Sequence, residues 1–149
     1  MSQSTIRAWM TGAPPTIGPK ESVQRAQTLL HTTKTAELLI IDNGQLVGML
    51  NKRDIWQHCP TSTLMMDEQR VNELLAQFRV GAVMTLYPPV IAPEAELAEA
   101  ATLFAASGRG GIPVIADGAP IGFLSEANFR QAAGLLLKAD GQKGTKSDS

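Results

Sequence analysis

The sequence predicts an α+β fold of sandwich-like α/β layers, built from two consecutive β-α-β-β-α units. Residues 6–56 align without a gap on residues 80–130, at an offset of 74 residues, and about a quarter of the aligned positions are identical. Each copy then shows an apolar period of 3.6 residues followed by two apolar runs of strand length. A unit of about fifty residues barely stabilises a core by itself, so we expect the two copies to pack together.

Each unit is expected to begin with a Met-Thr turn (Met10-Thr11 in copy one, Met84-Thr85 in copy two), two prolines and a very short strand. In copy one the strand is Thr16-Ile17 and Pro19 stops it; in copy two the strand is Val90-Ile91 and Pro93 stops it. Proline holds the residue before it extended and cannot donate to a strand ladder, which limits each strand to two residues.

A helix follows the short strand in each copy. Copy one begins its helix with Ser22 as the N-cap, and copy two places two glutamates where a helix N-terminus favours acids. The apolar residues that share one helical face are Val23, Ala26, Leu29 and Leu30 in copy one, and Leu97, Ala100, Leu103 and Phe104 in copy two. These faces are predicted to form the cores of the units.

Two strands and a closing helix complete each unit. The runs 38–41 and 112–115 are continuously apolar, as in strands that are covered on both faces. Asn43-Gly44 and Asp117-Gly118 are hairpin turn pairs, and the second strands, 46–50 and 120–124, run directly into the closing helices. A glycine inside each second strand, Gly48 or Gly122, indicates a close approach of backbone or ligand.

The predicted organisation is a first repeat over residues 1–57, a connector over 58–78, a second repeat over 79–136 and a tail over 137–149. Residues 68–78 of the connector are expected to be helical, with an apolar side formed by Val71, Leu74, Leu75 and Phe78. The tail is polar, and we expect it to be mobile.

Composition narrows the classes of function. Apolar residues make up 44% of the chain, yet no apolar run approaches the ~20 residues of a spanning helix, so we expect no membrane partner. A net charge of −1 and 5% aromatic residues supply neither the field nor the stacking platform of a nucleic-acid-binding protein. The first residues lack the features of a secretory signal, which predicts a cytoplasmic protein.

No constellation of residues predicts an enzyme or a metal centre. His58 and Cys59 look like a base and a nucleophile, but no third residue orients them, and neighbours in a connector point in different directions. With one cysteine, and with His31 as the other histidine, a zinc centre lacks ligands. We therefore predict a non-enzymatic protein that requires no cofactor.

The order of these motifs resembles a tandem cystathionine-β-synthase (CBS) domain pair, or Bateman module. The resemblance is carried by Met-Thr, proline, apolar pair, helix, strand, turn glycine and Gly-apolar-apolar-Asn/Ser-x-x-Asp/Asn, found twice over roughly residues 4–136. It implies repeats packed about a pseudo-twofold axis, with clefts that take AMP, ADP, ATP or S-adenosylmethionine as regulatory ligands. It also implies a homodimer and a regulated protein partner, and the chain is similar to bacterial acetoin-utilisation-type regulators.

The ligand signature of that family, Gly-h-h-Ser/Thr-x-x-Asp, lies where the last strand enters the last helix. Copy one matches it with an asparagine in place of the hydroxyl: Asn51 can donate to a phosphate, and Asp54 occupies the position that accepts from a ribose diol. Lys52 and Arg53 add positive charge between them. Asn51 and Asp54 also read simply as a helix N-cap with an acid in the first turn, and the two roles are compatible.

Copy two also departs from the signature at one place. Ser125 is kept, but Asn128 replaces the carboxylate and Glu126 brings a negative charge, so copy one is the preferred site. The resemblance places the adenine between the first and second strands, at Thr16, Ile17, Pro19, Leu38 and Leu39 in copy one, or at Val90, Ile91, Ile112 and Pro113 in copy two. The alternative function is a ligand-free scaffold for dimerisation or for docking onto an enzyme or transporter.

Overall fold

The computed structural model describes residues 4–59 and 67–136, which form two compact units that do not follow the order of the repeats. Residues 14–88 belong to one unit, called here the central unit, and the described residues up to Ala13 and from Pro89 belong to the other, the terminal unit. Each unit therefore contains the Met-Thr segment of the other sequence copy. The predicted mobile tail and the middle of the predicted connector lie outside the described residues.

The central unit is a four-stranded sheet with helices. Its strands are β1 (Thr16–Ile17), β2 (Leu38–Asp42), β3 (Gln45–Leu50) and β4 (Thr85–Leu86), adjacent in that order, with β1 parallel to β2 and the other pairs antiparallel. Its described helices are α1 (Val23–Thr33), α2 (Lys52–His58), α3 (Glu68–Leu75) and α4 (Val80–Val83).

The first helix follows the predicted pattern. The Ser22 hydroxyl accepts a hydrogen bond from the Arg25 amide at 3.1 Å, which confirms the N-cap. Val23, Ala26 and Leu30 are buried against the apolar residues of β2 and β3. The helix face and the two-sided burial of β2 were both predicted by the apolar pattern.

The terminal unit repeats this pairing. It contains a 3-10 turn over Ile6–Ala8, helix α5 (Leu97–Ser107), strands β5 (Gly111–Ala116) and β6 (Ala119–Ser125), and a closing helix α6 over residues 126–136. Two of its isolated bridges, Ile91–Val114 and Thr11–Phe123, join the residues that correspond, at the offset of 74, to the pairs Ile17–Ile40 and Thr85–Met49 of the central sheet. The shared register confirms the predicted fold class of two β-α-β-β-α repeats.

Both predicted hairpin turns are confirmed. Asn43 and Gly44 have φ values of 51° and 78°, and Asp117 and Gly118 have φ values of 52° and 80°. Two consecutive positive φ angles define the type I′ turn, which matches the twist of the strands that it joins.

The connector helix is shorter than the predicted span 68–78. Helix α3 begins after the N-cap Asp67 and ends at Leu75. Beyond that point the backbone serves other partners, because the Phe78 carbonyl accepts from the Val23 amide and Arg79 forms a bridge with Ser22. These bonds to the start of α1 end the helix early.

The predicted strand Val90-Ile91 is also wrong in extent, because only Ile91 forms a bridge. In the central unit the amide of Leu39 donates to the Pro15 carbonyl at 3.1 Å, which helps to hold β1 beside β2. The position that corresponds to Leu39 in the terminal unit is Pro113, which has no N–H to donate. The missing donor accounts for the shorter pairing.

The glycines inside β3 and β6 allow the Met-Thr segments to pack on the strands. A Cβ added at Gly48 would lie 2.5 Å from Met84 Sδ and 2.9 Å from the Thr85 carbonyl oxygen. At Gly122 the added carbon would lie 2.8 Å from Met10 Sδ and 2.7 Å from the Thr11 carbonyl oxygen. The close approach predicted for these glycines is therefore that of the Met-Thr segment, through its backbone and its methionine side chain.

We expect Gly48→Ala to lower the free energy of unfolding by about 2 kcal/mol, because the added methyl group meets a carbonyl that cannot rotate away. Gly134→Ala is the matched control: an added Cβ there meets nothing within 4 Å, and alanine favours the helix by about 0.5–1 kcal/mol. Chemical denaturation of both variants checks this. Equal stability of Gly48→Ala and the wild type would contradict the packing role.

Candidate functional site

The predicted ligand residues of copy one gather at one end of the central sheet. Thr16 pairs with Leu39, and Leu38 pairs with Leu50, so the start of β1, the start of β2 and the end of β3 lie together. Asn51 follows Leu50 directly and begins α2. Pro19 follows β1, and its carbonyl accepts from the Gly81 amide in α4.

Burial divides these residues into two groups. Leu38 and Leu39 are fully buried and Ile17 is 7% exposed, so all three serve the core. Thr16, Lys52 and Arg53 are exposed. The side chains that are open to an incoming molecule are therefore those of Thr16 in β1 and of Lys52 and Arg53 in α2.

Asn51 and Asp54 form a reciprocal capping box at the start of α2. The Asp54 amide donates to Asn51 Oδ1, and the Asn51 amide donates to Asp54 Oδ2, each at 2.9 Å. The capping interpretation of these two residues is thus confirmed. Their roles toward a phosphate and a ribose stay predictions.

The capping box is the centre of a larger, partly buried network. The Thr85 hydroxyl donates to Asp54 Oδ1 at 3.1 Å, and the Asn51 side-chain amide donates to Glu37 Oε1 at 3.0 Å. Glu37 is 4% exposed and Asp54 is 6% exposed, and these are the buried charged side chains of the described residues. We call Glu37, Asn51, Asp54 and Thr85 the cap network.

Sequence reasoning missed Glu37. The acid stands directly before an apolar strand, where its burial follows from position, but its partner Asn51 lies fourteen residues away, beyond a hairpin. The repeat alignment contained a signal for this pair. Copy two has Gly111 at the position of Glu37 and Ser125 at the position of Asn51, so both members of the pair are replaced together.

A cleft of about 440 Å³ opens beside β1 in the central unit. Its walls are Thr16, Ile17, Gly18, Glu21, Arg25, Thr28, Leu29 and Thr32. Two of the predicted adenine residues line it, and the rest of the wall comes from the N-terminal approach to α1 and from α1 itself. The face of α1 beside β1 is thus a part of the candidate site that the sequence did not indicate.

The corresponding residues of the terminal unit serve the fold. The Ser125 hydroxyl accepts from the Asn128 amide at 3.1 Å, and the Asn128 side-chain amide donates to the Trp9 carbonyl at 3.2 Å. Ile91, Ile112 and Pro113 are buried, whereas Val90 is exposed. In both units the residue at the Asp54 or Asn128 position thus fastens the Met-Thr segment to the closing helix.

His58 and Cys59, which resemble a base and a nucleophile in the sequence, lie at the C-terminal end of α2. Cys59 is fully buried, and burial raises the pKa of its thiol. His58 Nδ1 lies 3.0 Å from the Asp54 carbonyl, as a helix C-terminal contact. Over residues 4–59 and 67–136, no group of three His, Cys, Asp or Glu side chains is arranged to hold a metal ion. Over the same residues, no helix is long and apolar enough to cross a bilayer.

Asn51→Ala tests the structural weight of the cap network. We expect it to cost about 2 kcal/mol of stability, since the α2 cap and the donor to buried Glu37 are lost together. Ser125→Ala at the corresponding position of the terminal unit removes a cap alone and should cost about 1 kcal/mol. Thermal and urea unfolding of both variants measure the difference. Equal losses would contradict the contribution of the Glu37 contact.

The Cys59 thiol should be protected from alkylation in the native protein. Because burial raises its pKa, the stability that the neutral thiol contributes is present below its ordinary pKa and is lost as the pH rises through the raised value. A maleimide titration across alkaline pH, with unfolded protein as the control, measures this. Reaction of native protein at neutral pH as fast as that of unfolded protein would refute it.

Comparisons with known proteins agree with this architecture. The CBS domain family model matches residues 6–55 and 80–134. CBSX2 from Arabidopsis thaliana, a CBS-pair protein, is 28% identical with a TM-score of 0.73, over 92% of this chain and 99% of that chain. A structure of CBSX2 in complex with AMP is 29% identical with a TM-score of 0.68, over 87% and 95%. The putative acetoin utilization protein AcuB from Vibrio cholerae shares the fold at 23% identity and a TM-score of 0.67, over 93% and 96%. A comparison with curated proteins finds no match.

Proposed function

Because the chain belongs to the CBS-domain family as a tandem pair, we propose that it is a non-enzymatic regulatory module that binds an adenosine-containing compound. The candidates are AMP, ADP, ATP and S-adenosylmethionine. The observation that carries the proposal is the strand register of the central unit, which gathers Thr16, Leu39 and Asn51 at one end of the sheet.

The chemistry of this sheet end suits a nucleoside. The exposed hydroxyl of Thr16 lies beside backbone groups of an edge strand, which can read the donors and acceptors of a base. The cleft beside β1 is lined by the apolar side chains of Ile17 and Leu29 and by several polar side chains. That CBSX2 has been captured with AMP supports a ligand of this class for a chain of 29% identity.

The cap network offers a route from ligand to signal. Thr85 joins the start of α2 to β4, and four residues later the chain passes at Pro89 into the terminal unit. A ligand that binds one arrangement of the network more tightly than another shifts the population of the two. In this proposal the shift alters the conformation or the oligomeric state of a homodimer, which a regulated protein partner then reads.

A second candidate function is a ligand-free scaffold for dimerisation or docking. It is favoured by the occupation of both Asp54 oxygens by Asn51 and Thr85, and by the 6% exposure of that side chain. A ribose would have to displace part of this network to reach the carboxylate.

Calorimetry with the four candidate ligands and adenosine separates the two functions. We expect at least one ligand to bind, and Thr16→Trp to abolish binding because the indole fills the entrance beside β1. Val90→Trp is the matched control, since Val90 is the corresponding exposed residue of the terminal unit. The scaffold replaces the sensor if no ligand binds the wild type. If a ligand binds and Thr16→Trp binds it as the wild type does, the proposed site beside β1 is wrong.

A further inference from the structure

A buried acid lies beside the group that the signature assigns to a phosphate. In the family pattern that position carries a hydroxyl, and here it carries Asn51. The side-chain nitrogen of Asn51, Nδ2, is 3.0 Å from Glu37 Oε1. The side-chain oxygen of Asn51 accepts from the backbone amide of Asp54. A phosphate oxygen that accepted from this nitrogen would therefore share it with an acidic side chain.

The terminal unit shows that the fold does not require this acid. At the position of Glu37 it has Gly111, and the ring of Phe123 fills the space that a side chain there would need. At the position of Asn51 it has Ser125, which caps its helix without a second acceptor. The Glu37–Asn51 pair is therefore a distinguishing feature of the central unit.

Burial decides which nearby charges dominate. Lys52 and Arg53 are exposed, so water and salt screen them, whereas Glu37 and Asp54 are buried. Coulomb interactions strengthen as the local dielectric constant falls, which gives the two acids the larger effect on a group held beside Asn51. The two buried acids therefore counteract the positive charge that Lys52 and Arg53 bring to the start of α2.

We infer that Glu37 sets the ligand class of this site, favouring an adenosine compound with a neutral or cationic group beside Asn51 over one with a phosphate there. The inference rests on the proposed function and narrows it. Adenosine and S-adenosylmethionine, whose sulfonium and ammonium groups are cationic, fit this description. AMP, ADP and ATP do not.

Adenosine and AMP provide the sharpest comparison, because they differ only in the phosphate. We expect calorimetry of the full chain to give an affinity for adenosine about tenfold above that for AMP, and Glu37→Gln to raise the AMP affinity about tenfold. The same variant should leave adenosine within about twofold, since glutamine keeps an acceptor for Asn51. Glu73→Gln, on α3, is the control for loss of an exposed acid and should leave the ratio unchanged.

The outcomes separate this inference from the proposed function. If AMP binds the wild type as tightly as adenosine, the inference fails while the nucleotide site stands, and this measurement needs no variant. An unchanged ratio in folded Glu37→Gln also overturns the inference. If none of adenosine, AMP, ADP, ATP and S-adenosylmethionine binds, the proposed function and the inference fail together.

Discussion

Four polar side chains lie where β3 passes into α2, with Glu37 and Asp54 buried and Asn51 and Thr85 half-buried, and they connect the sheet, the closing helix and the Met-Thr segment of the central unit. Burying two acids costs free energy unless hydrogen bonds replace those made to water. The network supplies such bonds from the Asn51 amides and the Thr85 hydroxyl. The position of α2 relative to β4 therefore depends on polar contacts with defined geometry.

The same connection explains why the Met-Thr segment and the strand glycine occur together in both copies. Met84-Thr85 packs over Gly48 while Thr85 bonds to Asp54, and Met10-Thr11 packs over Gly122 while Asn128 bonds to Trp9. A side chain on either glycine would separate the segment from the strand. The Met-Thr segment is thus held both by its packing over the glycine and by the hydrogen bond at the Asp54 or Asn128 position. As a result, each copy completes the unit of the other.

Local patterns predicted much of this fold. The hairpin turns, the Ser22 cap and the apolar faces depend on residues close together in sequence, and the turns and the faces occur in both copies. Long-range pairing could not be read in the same way. The early end of α3 depends on bonds to Ser22 and Val23, and the exchange of Met-Thr segments joins residues more than thirty positions apart. The loss of pairing at Val90 was readable in principle from Pro113, because proline lacks a donor.

The sequence indicated the main residues of the candidate site but not the charge that surrounds them. Asn51 and Asp54 stood out by their match to a signature, whereas Glu37 matched nothing, and its influence appears only once burial and the Asn51 contact are known.

Nuclear magnetic resonance of the labelled chain titrated with adenosine tests the central claim most directly. The account predicts the largest shifts at the amides of residues 16–18 and 51–54. Shifts confined to the terminal unit, or none at saturating adenosine, would contradict it.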